Sequence, residues 1–254
     1  MDLLFSLKEK NLVLFWFGLI NLSAGLAFII MSWIKPTEFA GTNAWFKPIK
    51  FALSTTILSW SMGWYVSYLP KGGDITIFNW VIVITLAFEV FYIAFQASKG
   101  QPSHYNQSTP FFAAMFSLMA IAATAATLAV GYIGIKFFTT PLPHLPDFYV
   151  WAIRFGIILF VIFSFQGFVM GGNMAHTVGA KDGSPGLPFV NWSLTHGDLR
   201  IAHFIGMHAL QVLPLLAWFA FKNVKITVAA FIVYGLLAIF VLMQALRGKS
   251  IIHI

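Results

Sequence analysis

Long apolar runs separated by short polar breaks set the architecture of this chain. Seven such runs follow one another, near Leu12–Ile34, Ile49–Leu69, Ile75–Ala97, Phe111–Ile135, Phe148–Met170, Ile201–Phe221 and Ile226–Leu246. Each has roughly 20–25 residues, enough for a helix to cross a hydrocarbon core about 30 Å thick. A membrane barrel would instead show segments of about ten residues that alternate in polarity. The pattern predicts an all-α, polytopic membrane protein, a single domain of seven transmembrane helices over residues 1–254.

The breaks carry helix punctuation. Asp74, Asp147 and Asp198 precede the third, fifth and sixth runs, where a carboxylate can cap free amides. Thr109-Pro110 opens the fourth run as a cap and first-turn proline, and Pro214 predicts a kink in the sixth. Seven crossings put the termini on opposite sides. Short turns (Pro70–Asp74, Phe221–Lys225) fall on the N-terminal side, and Lys35–Pro48, Ser98–Pro110 and Gly171–Arg200 on the other. The last, residues 171–200, is the longest loop and is expected to cap its side. Within it KDGSPGLPFVN (Lys181–Asn191) has turn chemistry throughout. Basic residues divide nearly evenly between the sides; Lys8 and Lys10, just before the first run, favour a cytoplasmic N-terminus.

Composition narrows the class further. With 59% apolar and 9% charged residues and a mean hydropathy of +0.83, the chain is far from a soluble domain, which has about 25% charged residues. An aromatic content of 17% excludes disorder. The absence of cysteine removes disulfides, thiolate metal sites, iron–sulfur clusters and cysteine nucleophiles. The net charge of +7 reads as attraction to the anionic headgroups of a lipid bilayer, with no nucleic acid as partner. Phosphate loops, nucleophile elbows and dinucleotide fingerprints do not occur, and the last run lacks the lysine a retinal protein requires.

Candidate chemistry lies in ionisable groups within the runs, which are costly there and usually face the bundle interior with a partner. These are Lys50, Glu89, Arg154, His203 and His208. Counting along the helices places Glu89 roughly 12 Å and His208 roughly 10–12 Å inside the C-terminal side. Five of the seven histidines, His104, His176, His196, His203 and His208, fall in that half or its loops. Thr85, Glu89, Tyr92 and Gln96 share one face of the third helix, Lys47, Lys50, Ser54 and Ser61 one of the second, and His208 and Gln211 one of the sixth. Arg154, in the opposite half, is expected to snorkel or to pair with a carbonyl.

These groups predict one cavity opening to the C-terminal side. Glu89 (proton transfer), His208 and Lys50 (holding an anionic group) are the candidate catalytic residues. His176 and His203 are candidate cofactor ligands, and His176, His203, His208 and Glu89 a candidate metal set. Gln96, His104, Gln166, Asp198 and Gln211 would line the site, although Asp198 also reads as a helix cap. Zinc, another transition metal or haem b are the cofactors this chemistry admits. His203 and His208 are five apart, about 140° around a helix, unlike the four-residue spacing of HExxH, so each needs ligands from elsewhere. His176 with His203 suits a bis-histidine haem. The resulting expectation is a metal- or haem-dependent membrane enzyme acting on a lipid-soluble small molecule. The alternative is a proton-coupled transporter or sensor without cofactor, gated by Glu89 and His208, although no inverted repeat is visible.

Three stretches, NAWFKPIKFALS (Asn43–Ser54), EVFYIAFQASKGQPSHYN (Glu89–Asn106) and GLPFVNWSLTHGDLRIAHFIGMHALQ (Gly186–Gln211), resemble a group of bacterial heptahelical membrane proteins with no assigned activity. The resemblance implies seven helices in a bacterial inner (cytoplasmic) membrane and no particular function. A looser, architectural likeness is to the seven-span zinc hydrolases that include alkaline ceramidases and adiponectin receptors. Those take histidine ligands from their last span, and Ile226–Leu246 has none.

Overall fold

In a bilayer every backbone amide and carbonyl must be satisfied within the chain, and a helix does so one segment at a time. The computed structural model describes residues 3–183 and 186–251 and follows this rule. Its helices are α1 (Leu3–Lys10), α2 (Leu12–Ile34), α3 (Phe46–Val66), α4 (Gly73–Ser98), α5 (Pro110–Thr139), α6 (Asp147–Phe165), α7 (Gly167–Asn173), α8 (Leu199–Leu216) and α9 (Val224–Leu246). Two short antiparallel ladders join loops: β1 (Glu38–Phe39) with β2 (Thr42–Asn43), and β3 (Thr177–Val178) with β4 (Gly197–Asp198). Thr177 stands opposite Asp198.

The chain is a polytopic, all-helical membrane protein. Six segments are long and apolar enough to cross a membrane: α2, α4, α5, Asp147–Asn173, Leu199–Phe221 and α9. Trp33, Ile34, Phe91 and Phe219 are each more than 70% exposed, as side chains meant for lipid can be. The expected second span is the 21-residue α3. It starts and ends about a turn earlier than its apolar run and is less apolar than the other six, because Lys47, Lys50, three serines and two threonines interrupt it.

Helix ends differ in detail from the sequence pattern. Asp198 caps α8, accepting from the Arg200 amide at 3.0 Å. Gly72 and Pro146 precede α4 and α6, so Asp74 and Asp147 sit inside the first turn. There their charge complements the helix dipole. Thr109 caps α5, its hydroxyl accepting from Phe112 N–H at 3.2 Å. Pro214 lies within α8, and the chain then widens into a π-helical turn at Ala217–Phe221, a local answer to the amide that proline lacks. The long loop is shorter than expected, since α7 extends to Asn173 and α8 begins at Leu199; Ser184 and Pro185 lie outside the described residues.

The chain divides into two compact units, Met1–Ala129 and Val130–Ile254. In the first, α2 packs on α3, and α3 on α4. A Cβ at Gly18 would lie 2.2 Å from Nε1 of Trp60, so only glycine lets that indole cross α2 and donate to the Phe15 carbonyl (3.1 Å). Asn11 caps α2 and donates to Asn79 Oδ1 at 3.0 Å, tying in α4.

In the second unit α6 and α8 form the tightest pair, with α9 against both. A Cβ at Gly206 would fall 2.0 Å from the Phe163 ring, and one at Gly156 2.9 Å from the Ala209 carbonyl. The two glycines therefore set the close approach of these helices. Arg154 donates from Nε (2.9 Å) and from its terminal nitrogen (2.7 Å) to the Phe137 carbonyl. It closes the last turn of α5, the carbonyl pairing its position suggested.

Candidate functional site

The polar groups singled out in the sequence divide between the units. Lys50, Glu89, Gln96 and His104 belong to the first, and Gln166, His176, Asp198, His203, His208 and Gln211 to the second. Each set is described in its own surroundings.

In the first unit α4 carries Glu89, Tyr92 and Gln96 on one buried face, with Thr85 half-buried above them. Glu89 is only 8% exposed and accepts no hydrogen bond from a described residue. Lys47, in the first turn of α3, supplies the positive charge that acts on it. The Lys47 ammonium reaches Nδ1 of His104 at 3.1 Å, and the Ser103 hydroxyl approaches the same nitrogen at 3.1 Å. An ammonium has no lone pair, so Nδ1 accepts and the ring proton resides on Nε2. Phe51, Tyr105 and Phe116 surround this imidazole, with ring centres 5.9, 6.1 and 6.3 Å away. Glu89, Lys47 and His104 thus form a carboxylate–ammonium–imidazole succession on α3, α4 and the loop after α4. Next to it Gln96, fully buried, donates to Tyr92 Oη (3.1 Å) and the Pro102 carbonyl (3.3 Å), while its Oε1 has no partner.

The face of α3 is rotated from the one expected. Ser54 is exposed, Lys50 half-buried, and the buried hydroxyls are Thr55, Thr56 and Ser59. Thr56 donates to the Gly18 and Ala52 carbonyls, both at 3.0 Å. Packing on α2 through Gly18 decides which side of α3 is inside, which the spacing of its polar residues could not reveal.

In the second unit His203 projects from α8 onto the end of α6. Its Nδ1 donates to the Phe163 carbonyl at 2.6 Å, which leaves Nε2 as the acceptor. A Cβ at Gly167 would lie 3.5 Å from Cε1 of the same ring. Gln166, between these two contacts in the chain, is 6% exposed, and neither polar atom of its side chain has a partner among the described residues. His208 faces Gln211 Oε1 with its Nδ1 at 3.3 Å and lies against the Phe204 ring at 4.3 Å. His176 and His208 are both near enough to act electrostatically on His203.

The loop between α7 and α8 is held by carboxylates. Asp182 accepts from His176 Nδ1 at 2.6 Å and from the His176 and Thr177 amides at 3.0 and 3.1 Å. Burial pushes its pKa up, but these hydrogen bonds and the His176 charge outweigh it and hold the carboxyl well below the usual range. Asp198, 2% exposed, takes the Ser193 amide (2.8 Å), the Arg200 amide and two guanidinium bonds from Arg200 (2.9 and 2.5 Å). Arg200 also donates to the Asn191 carbonyl. Asp198 is therefore a structural brace rather than a lining residue, because all its lone pairs are engaged. His196 stays in the loop, bonded at Nδ1 to the Thr195 hydroxyl (2.8 Å).

Among the described residues no three His, Cys, Asp or Glu side chains gather in a way that could hold a metal ion. The expected zinc, transition-metal or haem set of Glu89, His176, His203 and His208 gains no support. The Nδ1 atoms of the three histidines face separate acceptors, a carboxylate, a backbone carbonyl and an amide oxygen. Lys47 and Ser103 did not stand out as site residues in the sequence. Lys47 was visible on the Lys50 face at i, i+3, but nothing local marks Ser103. Compared with protein families, curated proteins and solved structures, the chain matches none.

Proposed function

We propose that the chain is a seven-span membrane protein, α3 completing the bundle, whose first unit exchanges a proton at Glu89 to drive transport or sensing. The observation that carries this reading is Glu89 itself: a carboxyl only 8% exposed, with no hydrogen-bond partner among the described residues, within electrostatic reach of a lysine that continues to His104. A carboxyl serving only as interhelical glue would be engaged by donors, as Asp198 is. The N-terminus lies on the cytoplasmic side of a bacterial inner membrane. In support, Lys8 lies over the Trp16 ring (5.7 Å) and Lys10 over Trp64 (4.9 Å) and Tyr68 (5.2 Å), the basic and aromatic pairing of a membrane interface.

The test is infrared difference spectroscopy of the protein in lipid between acidic and alkaline buffer. A carboxyl band that titrates is expected, lost in Glu89→Gln and moved in Lys47→Met. If the wild type and Glu89→Gln give the same difference spectrum, Glu89 exchanges no proton and the reading fails.

A further inference from the structure

We propose that His203 and Gln166 bind the uncharged, O–H-bearing headgroup of a lipid-soluble molecule. The proposal concerns the second unit alone and is independent of proton exchange at Glu89. The Phe163 carbonyl can only accept, so its 2.6 Å bond holds the His203 proton on Nδ1 and leaves Nε2 with a lone pair that can accept. Gln166 offers the complementary pair, an amide that donates and a carbonyl that accepts, both buried and both unpartnered. Leaving such an amide unsatisfied costs about 1–3 kcal/mol for each polar group, so its retention points to a ligand that engages it. Phe163 and Gln166 are three apart and share a face at the end of α6, and Gly167 brings the backbone against the same imidazole. His203 and Gln166 therefore flank one place.

The chemistry of these groups selects the ligand. A hydroxyl can donate to Nε2 of His203 while accepting from the Gln166 amide. A carboxylate would set its negative charge against the Nε2 lone pair. A cation would have to shed its water where neither group bears a negative charge. The surroundings of Phe163 are apolar: it belongs to a core with Leu159, Ile201 and Ala202, against which Trp192 and Ile205 pack. A ligand reaching this place from the bilayer is accordingly an amphiphile with a neutral hydroxyl head, either a quinol or an acylglycerol.

The experiment measures binding to the purified full chain in detergent, by intrinsic tryptophan fluorescence, of three probes: a short-chain ubiquinol, its oxidised quinone, and a monoacylglycerol. At least one O–H-bearing probe is expected to bind. Ubiquinol binding that exceeds quinone binding at least tenfold identifies the quinol head, and binding of the monoacylglycerol alone identifies the glyceryl head; either supports the proposal. Gln166→Leu is expected to weaken binding at least tenfold while raising Tm, because it removes two unsatisfied buried atoms. His203→Asn keeps an N–H for the Phe163 carbonyl but lacks Nε2, and is expected to lose binding to a similar degree. Should either variant fold poorly, nitrogen-15 NMR of the histidines in the wild type reads the same contact as a shift of the unprotonated His203 Nε2 on saturation. Failure of both O–H probes to bind, quinone binding as tight as quinol, unchanged affinity in Gln166→Leu, or an unmoved Nε2 resonance each overturns the proposal. A fall in Tm for Gln166→Leu with binding intact identifies the amide as a water-satisfied structural group and overturns it too.

Discussion

Glu89 and His203 are both ionisable and both sit in apolar helices, yet the two units treat them in opposite ways. Among the described residues, the first unit gives Glu89 no hydrogen-bond partner, and Lys47 acts on it by charge. The second ties His203 to a backbone carbonyl and buries the neutral Gln166 amide, without a partner among the described residues, at the end of the same helix. A charge compensated only by another charge changes its partner's energetics whenever either titrates. A neutral group tied to the backbone keeps its orientation and selects by hydrogen-bond complementarity. On the two proposals made above, the contrast separates a place suited to moving protons from one suited to holding an uncharged molecule.

The strongest disruption is expected where packing holds the second arrangement in place. Gly206→Ala puts a methyl 2.0 Å from the Phe163 ring, and overpacking this severe is expected to cost about 3 kcal/mol or more. Thermal unfolding in detergent should show that loss, together with weaker binding at His203. An unchanged Tm would mean that the close approach of α6 and α8 does not position the site. Asp198→Ala should cost about 2–3 kcal/mol, since it strands the Arg200 guanidinium and removes a cap. It should leave the titration of Glu89 untouched, and a change there would contradict the purely structural role given to Asp198.

A smaller effect sharpens the first arrangement. In a double-mutant cycle on stability with Glu89→Gln and Lys47→Met, the coupling should reach at least about 1 kcal/mol. Additivity within about 0.5 kcal/mol would remove Lys47 as the counter-charge. The smallest effect is local. The Asp182 carboxyl is held below its unfolded value of about 3.9. Its contribution is therefore fully present above that pH and is lost as pH falls through the lower folded value. Hydrogen exchange at the His176 and Thr177 amides, taken relative to the free-chain rate, should accelerate only in strong acid in the wild type. In Asp182→Asn it should be fast already near neutrality, and equal rates there would show that the carboxylate does not hold the loop.

Much of this was legible in the sequence, and the boundary has physical causes. The buried face of Glu89, Tyr92 and Gln96 follows from a 3.6-residue period, which every α-helix imposes on its side chains. The same rule misplaced the buried face of α3. Its polar residues are spread around the helix, and Gly18 on α2, not local spacing, selects Thr56 and Ser59 for the inside. Asp198 carried both signals, cap and candidate ligand, and only its four donors in the folded loop decide between them. Lys47 comes within electrostatic reach of Glu89 because α3 packs on α4, although the two residues are 42 positions apart in the chain.

The sequence by itself determined that this is a helical, multi-pass membrane protein, because hydrophobic length and backbone satisfaction in lipid are properties of each segment taken alone. It also determined which ionisable residues would be exceptional there. The tertiary structure alone decided what each of them meets: a lysine beside Glu89, a helix-end carbonyl under His203, a full set of donors around Asp198. Those partners come from distant segments, and a hydrogen bond depends on an approach of about 3 Å that only packed glycines and interlocked helices can set.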